Sequence, residues 1–527
     1  MPGLFRSRLI RRPACLLAAA VLAIVVCDPP SAEGADQFDP VRQRIAKGLV
    51  DTNLPSIAVA VVRDGQIVWE QGFGWADREN RVPASEHTLY SVASVSKPIT
   101  ATGLMVFKER KKIDLDKPIN DYLGEAKLQA RVGDAAAATV RRVANHTSGL
   151  PLHYQFFYAD EAYKPPTRDE TIRRYGNLVT APGERFQYSN LGYGVLDYVV
   201  ERAAGKKFAD AMREEVFLPL GMTHTSIDVA PGLEPHQAIR YTPEGRRIPF
   251  YDFDHPGASA VYASAHDLAR FAMFHMKEHL ADQRAILSDA AIDEMQTPTS
   301  AADGRAGYGV GWGVSDSARG YRTVAHSGGM PGVATYCTFV PSKRVAVVVL
   351  SNSRSPLVSY VQDMIFKILL PERNKESETN KEKDATPDTA ARSQDSPPPD
   401  SALPGQWKGR LVTYKKEFPL VLKIKEVGDV HLKLGDQLET LLSGSSYQGG
   451  YLRGRFAGDV DHEDARGRGY QVQLELKLRD QVLGGPATVT TLPDQYGSSA
   501  VTYWVEVKRE SPALEKTPEP APAAGGS

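Results

Sequence analysis

Cysteine is scarce in this chain of 527 residues, which contains only three. Cys15 and Cys27 fall in an N-terminal segment that we predict is removed, so Cys337 alone remains and no intramolecular disulfide can form. Cys337 lies in an apolar, strand-like stretch, which is typical of a buried small hydrophobic residue. A thiol mechanism is therefore disfavoured.

The chain also has no excess of charge of either sign. It carries 63 Lys and Arg against 64 Asp and Glu, for a formal net charge of -1. Proteins that bind nucleic acid mainly through electrostatics carry a strong basic excess, so we predict no nucleic-acid partner. The length indicates two to four domains.

A long apolar run is absent as well. Residues 14–27 form the longest apolar stretch near the N-terminus, which is shorter than the roughly 20 residues that a membrane-spanning helix needs. Four arginines precede it, at positions 6, 8, 11 and 12. This pattern predicts a signal peptide over residues 1–34, with cleavage after Gly34, and hence an exported protein of the periplasm or the extracellular space. Lipid attachment at Cys27 is the alternative, and it is the one membrane association that the sequence allows.

Two segments have few apolar residues. Residues 372–402 are dominated by Lys, Glu, Asp, Ser, Thr and Pro, and we predict a disordered linker there. Residues 510–527, rich in Pro, Ala and Gly, are predicted to be a disordered tail. These segments leave two folded units, residues 36–371 and residues 403–509.

The two units have different hydrophobic patterns. Residues 36–371 begin with a strand pair at 56–62 and 67–70, continue through a mostly helical region and return to strands before a last helix at 357–370. This order predicts an α/β domain with a helical subdomain. Residues 403–509 alternate apolar and polar residues between glycine turns, which predicts a small all-β domain. Three roles stay open for this second domain: gating a cleft, binding a partner or stabilising the first domain.

Two common hydrolase motifs are missing, namely the Gly-x-Ser-x-Gly elbow of α/β-hydrolases and the His-Glu-x-x-His motif of zinc proteases. Ser94-Val95-Ser96-Lys97 is present at the start of a predicted helix. Residues i and i+3 share a helix face, so the Lys97 amine is expected beside the Ser94 hydroxyl. A desolvated lysine has a lowered pKa and can take the proton of a serine, which makes the serine a nucleophile.

Three further clusters follow Ser94 along the chain. They are Asn145-His146-Thr147-Ser148-Gly149-Leu150-Pro151, Phe186-Gln187-Tyr188-Ser189-Asn190-Leu191-Gly192-Tyr193-Gly194 and Ala325-His326-Ser327-Gly328-Gly329-Met330-Pro331-Gly332. In this order they resemble the motifs of the serine hydrolases related to class C β-lactamases, DD-peptidases and penicillin-binding proteins, over roughly residues 40–370. The resemblance implies a β-lactamase/transpeptidase-like antiparallel sheet with flanking helices and a helical subdomain.

The resemblance also implies roles for individual residues. Ser94 would attack an acyl carbon, while Lys97 and a Tyr188 phenolate share its proton and later pass it to the leaving group. Asn190 would hold Lys97 and the substrate amide. The backbone N–H groups of Ser94 and Gly329 would form the oxyanion hole.

The rest of the third cluster is assigned to substrate binding. His326, Ser327 and Gly328 would line the strand along which the substrate lies. Many penicillin-recognising relatives have a lysine where this chain has His326, so a dedicated β-lactamase is disfavoured, whereas a peptidase or an esterase fits equally well. We expect His146 to brace its turn and to lie outside the active site. No metal and no cofactor is implied.

The sequence thus predicts an exported serine hydrolase that forms an acyl-enzyme with a small-molecule or peptide substrate, such as a D-amino-acid peptide, a β-lactam or an ester. The alternative is a non-catalytic penicillin-binding or scaffolding protein that retains the fold. A further alternative places the biological activity in the β-domain, as a carbohydrate- or lipid-binding module. The oligomeric state is left open.

Overall fold

The computed structural model describes residues 36–301, 306–315, 320–370, 402–494 and 496–510. The predicted signal peptide, residues 372–401 of the predicted linker and residues 511–527 of the predicted tail lie outside these ranges. None of the helices in the described ranges combines the length and the apolar character that crossing a membrane requires.

The α-helices of the described residues all lie in the first unit. They are α1 (Asp39–Asp51), α2 (Ser96–Glu109), α3 (Val140–Ala144), α4 (Arg168–Tyr175), α5 (Asn190–Ala204), α6 (Phe208–Met212), α7 (Pro256–Ser259), α8 (Ala265–His275), α9 (Asp289–Met295) and α10 (Leu357–Leu369).

The strands of the first unit are β1 (Ser56–Arg63), β2 (Gln66–Asp77), β3 (Val82–Pro83), β4 (Tyr90–Ser91), β5 (Gln129–Ala130), β6 (Phe157–Tyr158), β7 (Asn177–Leu178), β8 (Thr225–Ile227), β9 (Tyr251–Asp252), β10 (Val261–Ala263), β11 (Ser300–Ala301), β12 (Ala306–Tyr308), β13 (Gly313–Ser315), β14 (Thr323–Met330), β15 (Val333–Val340) and β16 (Val345–Ser351). Those of the second unit are β17 (Gly405–Val412), β18 (Glu417–Ile424), β19 (Val430–Leu434), β20 (Thr440–Leu441), β21 (Ser443–Gln448), β22 (Tyr451–Phe456), β23 (Tyr470–Arg479), β24 (Val482–Thr491) and β25 (Ala500–Arg509).

One antiparallel sheet organises the first unit. Across the described residues its order is β11-β12-β13-β14-β15-β16-β1-β2-β3. The N-terminal hairpin β1–β2 joins the late strands through β1 and β16, with Val59 opposite Val349. Strands β1 and β16 are continuous apolar runs because helices cover both faces of the sheet. The α/β fold predicted from the sequence is therefore confirmed.

The two faces of the sheet contact different helices. On one face α1 and α10 pack through a cluster that includes Val41, Ile45, Val361 and Ile365. The opposite face contacts α8 and belongs to a larger core, which extends into the helical region and includes buried residues of α2 and α5. Helix α2 is buried along most of its length, so its first turn has a fixed position above the sheet.

A small sheet in the order β4-β10-β8 sets the position of the chain just before α2. Ser91 lies opposite Tyr262 in this sheet. The Val92 N–H then donates to the carbonyl of Val261 over 3.0 Å. The chain therefore enters the first turn before α2 from a hydrogen-bonded strand.

The second unit is all-β, as predicted. Its nine described strands form one antiparallel sheet in the order β20-β19-β18-β17-β25-β24-β23-β22-β21. Alternate residues such as Leu420, Leu432, Leu474 and Val489 are buried, because a strand turns successive side chains to opposite faces. We call this unit the β-domain.

Candidate active site

Ser94 lies in a turn of 3₁₀-helix, Ala93–Val95, immediately before α2. The sequence pattern placed Ser94 at the start of the helix, and α2 begins two residues later, at Ser96. Ala93 has a φ of +47°, in the left-handed region that residues with a Cβ rarely adopt. Such backbone strain is held only where the surroundings determine the conformation, as the small sheet before Ser94 does here.

Lys97 is fully buried in the first turn of α2, beside Ser94. Its Nζ lies 3.0 Å from Ser94 Oγ, 2.8 Å from Asn190 Oδ1 and 3.2 Å from the Ala258 carbonyl oxygen. Burial lowers the pKa of Lys97 well below its usual value, because the ammonium loses its hydration. In the neutral form the amine donates to Asn190 and Ala258 and keeps its lone pair for the Ser94 proton.

Tyr188 is the third group beside Ser94, and Lys97 Nζ lies 4.8 Å from the centre of its ring. Burial raises the pKa of Tyr188, and a hydrogen bond with Ser94 opposes this only in part. The phenolate expected from the resemblance is thus not the resting form here. Lys97 Nζ and the Tyr188 phenol are both in contact with Ser94.

His146 braces the loop that carries Tyr188, whereas the sequence led us to expect that it would brace its own turn. Its Nδ1 accepts the Ser189 N–H over 3.1 Å, and its carbonyl accepts the Gln187 N–H over 2.7 Å. The ring packs against Tyr188 with 4.4 Å between centroids. Burial lowers the pKa of His146 well below its usual value, so the ring is neutral. His146 therefore acts through Tyr188 and does not contact Ser94 in any described hydrogen bond.

Asn190 begins α5 and links Lys97 to a buried chain of polar groups. Its Oδ1 accepts from Lys97, while its Nδ2 donates to the His153 carbonyl over 2.8 Å. Asp254 lies between two imidazoles, 2.8 Å from His153 Nε2 and 2.6 Å from His255 Nδ1. All three groups of this trio are buried.

The trio could hold a cation by residue type, since its ligand atoms lie within 4.8 Å of one another. Both carboxylate oxygens, however, already bond an imidazole nitrogen. Burial acts to raise the pKa of Asp254, but His153 and His255 outweigh it and hold the pKa below its usual value. Burial lowers the pKa of His255 against the pull of Asp254. The arrangement is a carboxylate that orients a neutral imidazole, and His255 lines the cavity described below.

Strand β14 contains the residues from His326 to Gly329, which the resemblance assigned to substrate binding or to the oxyanion hole. Each of these residues has different contacts. His326 is buried, with Nδ1 2.8 Å from the Ser327 carbonyl oxygen and Nε2 2.9 Å from Tyr308 Oη. Burial and the nearby Lys97 lower the pKa of His326 to about 3. Both nitrogens are bonded within the protein, so this neutral ring ties β14 to β12. Ser327 is exposed.

The two glycines after Ser327 differ in their surroundings. A Cβ on Gly328 would clash with Thr335 and with the Val92 carbonyl, so β14 can approach the Ser94 turn only with glycine there. A Cβ on Gly329 would meet nothing within 4 Å. Gly329 instead faces the cavity that contains Ser94.

This cavity has a volume of about 570 Å³. Ser94, Asn190, His255 and Gly329 line its inner part. The walls come from the segments 154–156, 242–259 and 329–332 of the first unit, and from residues 493, 494 and 496–498 of the β-domain. The cavity lining does not include Tyr188, Lys97 or His326. These residues belong to the candidate site through the contacts described above.

The sequence interpretation brought Ser94, Lys97, Tyr188 and Asn190 together correctly as neighbours in space, since direct contacts join them here. It missed His153, Asp254 and His255. The signal available for them was weak: a lone histidine after Pro151, and Asp254-His255-Pro256 ahead of a run of small residues. For the β-domain, the sequence left open a role in gating a cleft, and the structure places five of its residues in the cavity wall.

Comparison with known proteins agrees with this geometry. Residues 41–370 match the family model described as Beta-lactamase. Penicillin-binding protein 4* of Bacillus subtilis (strain 168) is 27% identical over 317 residues, which are 56% of this chain and 67% of that protein.

Two solved structures have the same fold. The D-alanine carboxypeptidase AmpC from Burkholderia cenocepacia has a TM-score of 0.53 and 25% identity, covering 63% of this chain and 98% of its own. The octameric penicillin-binding protein homologue from Pyrococcus abyssi has a TM-score of 0.55 and 22% identity, covering 89% of this chain and 99% of its own. The second match extends beyond residues 41–370 and so includes part of the β-domain. The family match spans more than half of the sequence, and the chain therefore belongs to the beta-lactamase family and is a serine hydrolase.

Proposed function

We propose that the protein is an exported hydrolase in which Ser94 forms an acyl-enzyme with an amide or ester substrate. The observation that carries the proposal is the contact of 3.0 Å between Ser94 Oγ and the Nζ of a lysine whose burial lowers its pKa. A serine becomes a competent nucleophile when an adjacent neutral base can take its proton. The predicted signal peptide supports export.

The first half-reaction begins when Ser94 Oγ attacks the carbonyl carbon and its proton passes to Lys97 Nζ. Negative charge develops on the carbonyl oxygen, and the backbone N–H groups of Ser94 and Gly329 are proposed to stabilise it. The carbon–leaving-group bond then breaks, and the leaving group takes the proton from Lys97 through the Tyr188 phenol, which also bonds Ser94. In the second half-reaction water attacks the acyl-enzyme, Lys97 again holds the proton, and Ser94 is regenerated.

Two arginines and two acidic residues line the cavity, and one of the arginines, Arg354, is proposed to bind a substrate carboxylate. His326 is neutral and bonded on both nitrogens, so it cannot supply a cation. Arg354 lines the cavity and has no acidic partner within ion-pair distance among the described residues. A D-amino-acid peptide with a free carboxyl end has a carboxylate that Arg354 can bind. An uncharged ester has no such group.

Intact-mass analysis after incubation of the mature protein with a fluorophosphonate tests the proposal. We expect one adduct on the wild type and none on Ser94→Ala. Ser359→Ala changes a half-buried serine on α10, outside the cavity lining, and is the matched control, which should label as the wild type does. Absence of an adduct on the wild type between mildly acidic and mildly alkaline pH would support the non-catalytic alternative.

A further inference from the structure

One wall of the cavity that contains Ser94 belongs to the β-domain. The wall is the turn between β24 and β25, whose described residues are 492–494 and 496–499, and we call it the cavity loop. Pro493, Asp494, Tyr496, Gly497 and Ser498 of this loop line the cavity together with Ser94. A substrate bound at Ser94 therefore lies in a space that both units enclose.

The strand that follows the cavity loop is bonded to the first unit. Tyr154 and Ala500 form an antiparallel bridge in which each N–H donates to the other's carbonyl over 2.9 Å. Two residues further on, Thr502 Oγ1 donates to the Leu152 carbonyl over 3.0 Å. Because Tyr154 itself lines the cavity, these bonds hold the loop against the wall of the active site.

The loop is also ordered internally. Asp494 Oδ1 accepts the N–H groups of Tyr496 and Gly497 over 2.7 and 2.9 Å, and its Oδ2 pairs with Arg468 at 3.0 Å. A carboxylate that bonds its own turn and a neighbouring guanidinium fixes the backbone of that turn. The loop is thus a preformed wall of the cavity.

The loop lies against two parts of the first unit, strand β6 and the turn between β14 and β15. The Tyr496 ring packs against Tyr158 with 5.0 Å between centroids. A Cβ on Gly497 would lie 3.2 Å from Pro331, in the turn that follows Gly329. Tyr496 thus lines the same cavity as Ser94 while its ring packs against Tyr158.

We propose that the cavity loop of the β-domain determines substrate size, and that Tyr496 closes the cavity to long acyl groups. This inference rests on the proposed function of Ser94 and extends it: the preferred substrates are esters or amides with compact acyl groups. The reason is position rather than volume: an acyl chain that extends from Ser94 across the cavity reaches the loop residues that line it, and Tyr496 has the largest side chain among them.

The test compares two fluorophosphonates, one with a short alkyl group and one with a decyl chain, as second-order labelling rates of Ser94. We expect Tyr496→Gly to raise the ratio of decyl to short-chain labelling at least fivefold, and Tyr496→Trp to lower it. Val427→Gly, in the exposed turn between β18 and β19, is the matched control and should keep the wild-type ratio. Thermal unfolding of each variant verifies that it is folded.

Two results would overturn the inference, and they differ in meaning. If the wild type labels with the short probe but neither Tyr496 variant changes the ratio, the loop does not select size and the proposed function stands. If the wild type labels with neither probe, the proposed function itself fails and the inference fails with it.

Discussion

Lys97 controls the reactivity of Ser94 through its protonation state. The ammonium cannot accept the Ser94 proton, so reactivity depends on the fraction of neutral amine. Burial lowers the Lys97 pKa and thereby increases this fraction at any pH below the usual lysine value. The same burial means that charging Lys97 in the folded protein is costly.

We therefore expect the rate of Ser94 labelling by a fluorophosphonate to rise with pH and to level off above the Lys97 pKa. Lys97→Met removes the base while it keeps a side chain of similar volume, and we expect labelling to slow by about 100-fold or more with loss of the pH dependence. Labelling rates measured across the pH range, with circular dichroism as a check of folding, decide this. A wild-type rate in Lys97→Met would assign the base to another group.

Tyr188 shows where a resemblance and a structure give different detail. The residue type and its position follow from the motif, but its ionisation follows from its surroundings. A phenolate needs a neighbouring cation or strong donors, and the neighbouring Lys97 is itself shifted toward its neutral form. Burial therefore determines the result, and the pKa of Tyr188 rises.

At the scale of elements, strand β14 is paired, within the described residues, on both sides in its first part and on one side only in its second part, which lies beside Ser94. It pairs with β13 only up to Ala325, whereas its pairing with β15 continues to Met330. The residues from His326 onward therefore have one neighbouring strand. This unpaired edge runs beside the Ser94 turn. Gly328 allows the strand to approach that turn closely, and Gly329 lines the cavity, so the two glycines have separate purposes.

A pair of substitutions separates these purposes. We expect Gly328→Ala to lower the free energy of unfolding by about 2 kcal/mol, since the new methyl group would clash with Thr335 and Val92 in a packed region. Gly329→Ala should leave the melting temperature close to that of the wild type and slow the labelling of Ser94, because its methyl group enters the cavity. Thermal unfolding and labelling rates measure both effects, and equal losses of stability would contradict the assignment.

The elements that sequence patterns predicted well have a strong, local signal. The hairpin β1–β2 has an Asp-Gly turn between apolar runs, and β16 is a run of buried valines. The predicted helix start at Ser94 lies two residues before the first residue of α2, because a 3₁₀ turn and an α-helix have nearly the same sequence pattern. The trio of His153, Asp254 and His255 could not be predicted, since two segments 100 residues apart supply it and no fixed spacing marks them.

At the scale of the whole molecule, buried histidines connect stability to pH. Burial lowers the pKa of His275 and of His326 to about 3, and that of His462 to about 4. The unfolded chain binds protons at these positions below about pH 6.5, and the folded protein does not, so stability falls as the pH falls. Burial raises the pKa values of Asp197 and Asp228 to about 6. Between about pH 6 and the usual pKa of an aspartate, the folded protein binds protons at these two positions and the unfolded chain does not, so their contribution to stability increases as the pH falls.

His275 allows the effect of one group to be isolated. It packs between Phe271 and Trp312, and its Nε2 lies 3.0 Å from the Thr102 hydroxyl, which also bonds Pro98. When the pH is lowered from about 7 to about 5.5, the free energy of unfolding should decrease in both proteins. We expect this decrease to be about 1 kcal/mol smaller for His275→Phe than for the wild type. Denaturant unfolding at the two pH values measures this, with the exposed His236→Gln as control. The same loss in wild type and His275→Phe would show that His275 does not contribute.

The bridge between Tyr154 and Ala500 has a consequence for how the protein is made. Synthesis proceeds from the N-terminus, so every residue that bonds Ser94 or Lys97 leaves the ribosome long before β25 does. The wall of the cavity, in contrast, is complete only after β25 has been translated and has joined the segment around Tyr154. A nascent chain that stops in the linker would thus expose an open cleft with its nucleophile in place, and translation of the final strand would narrow the range of molecules that can reach it.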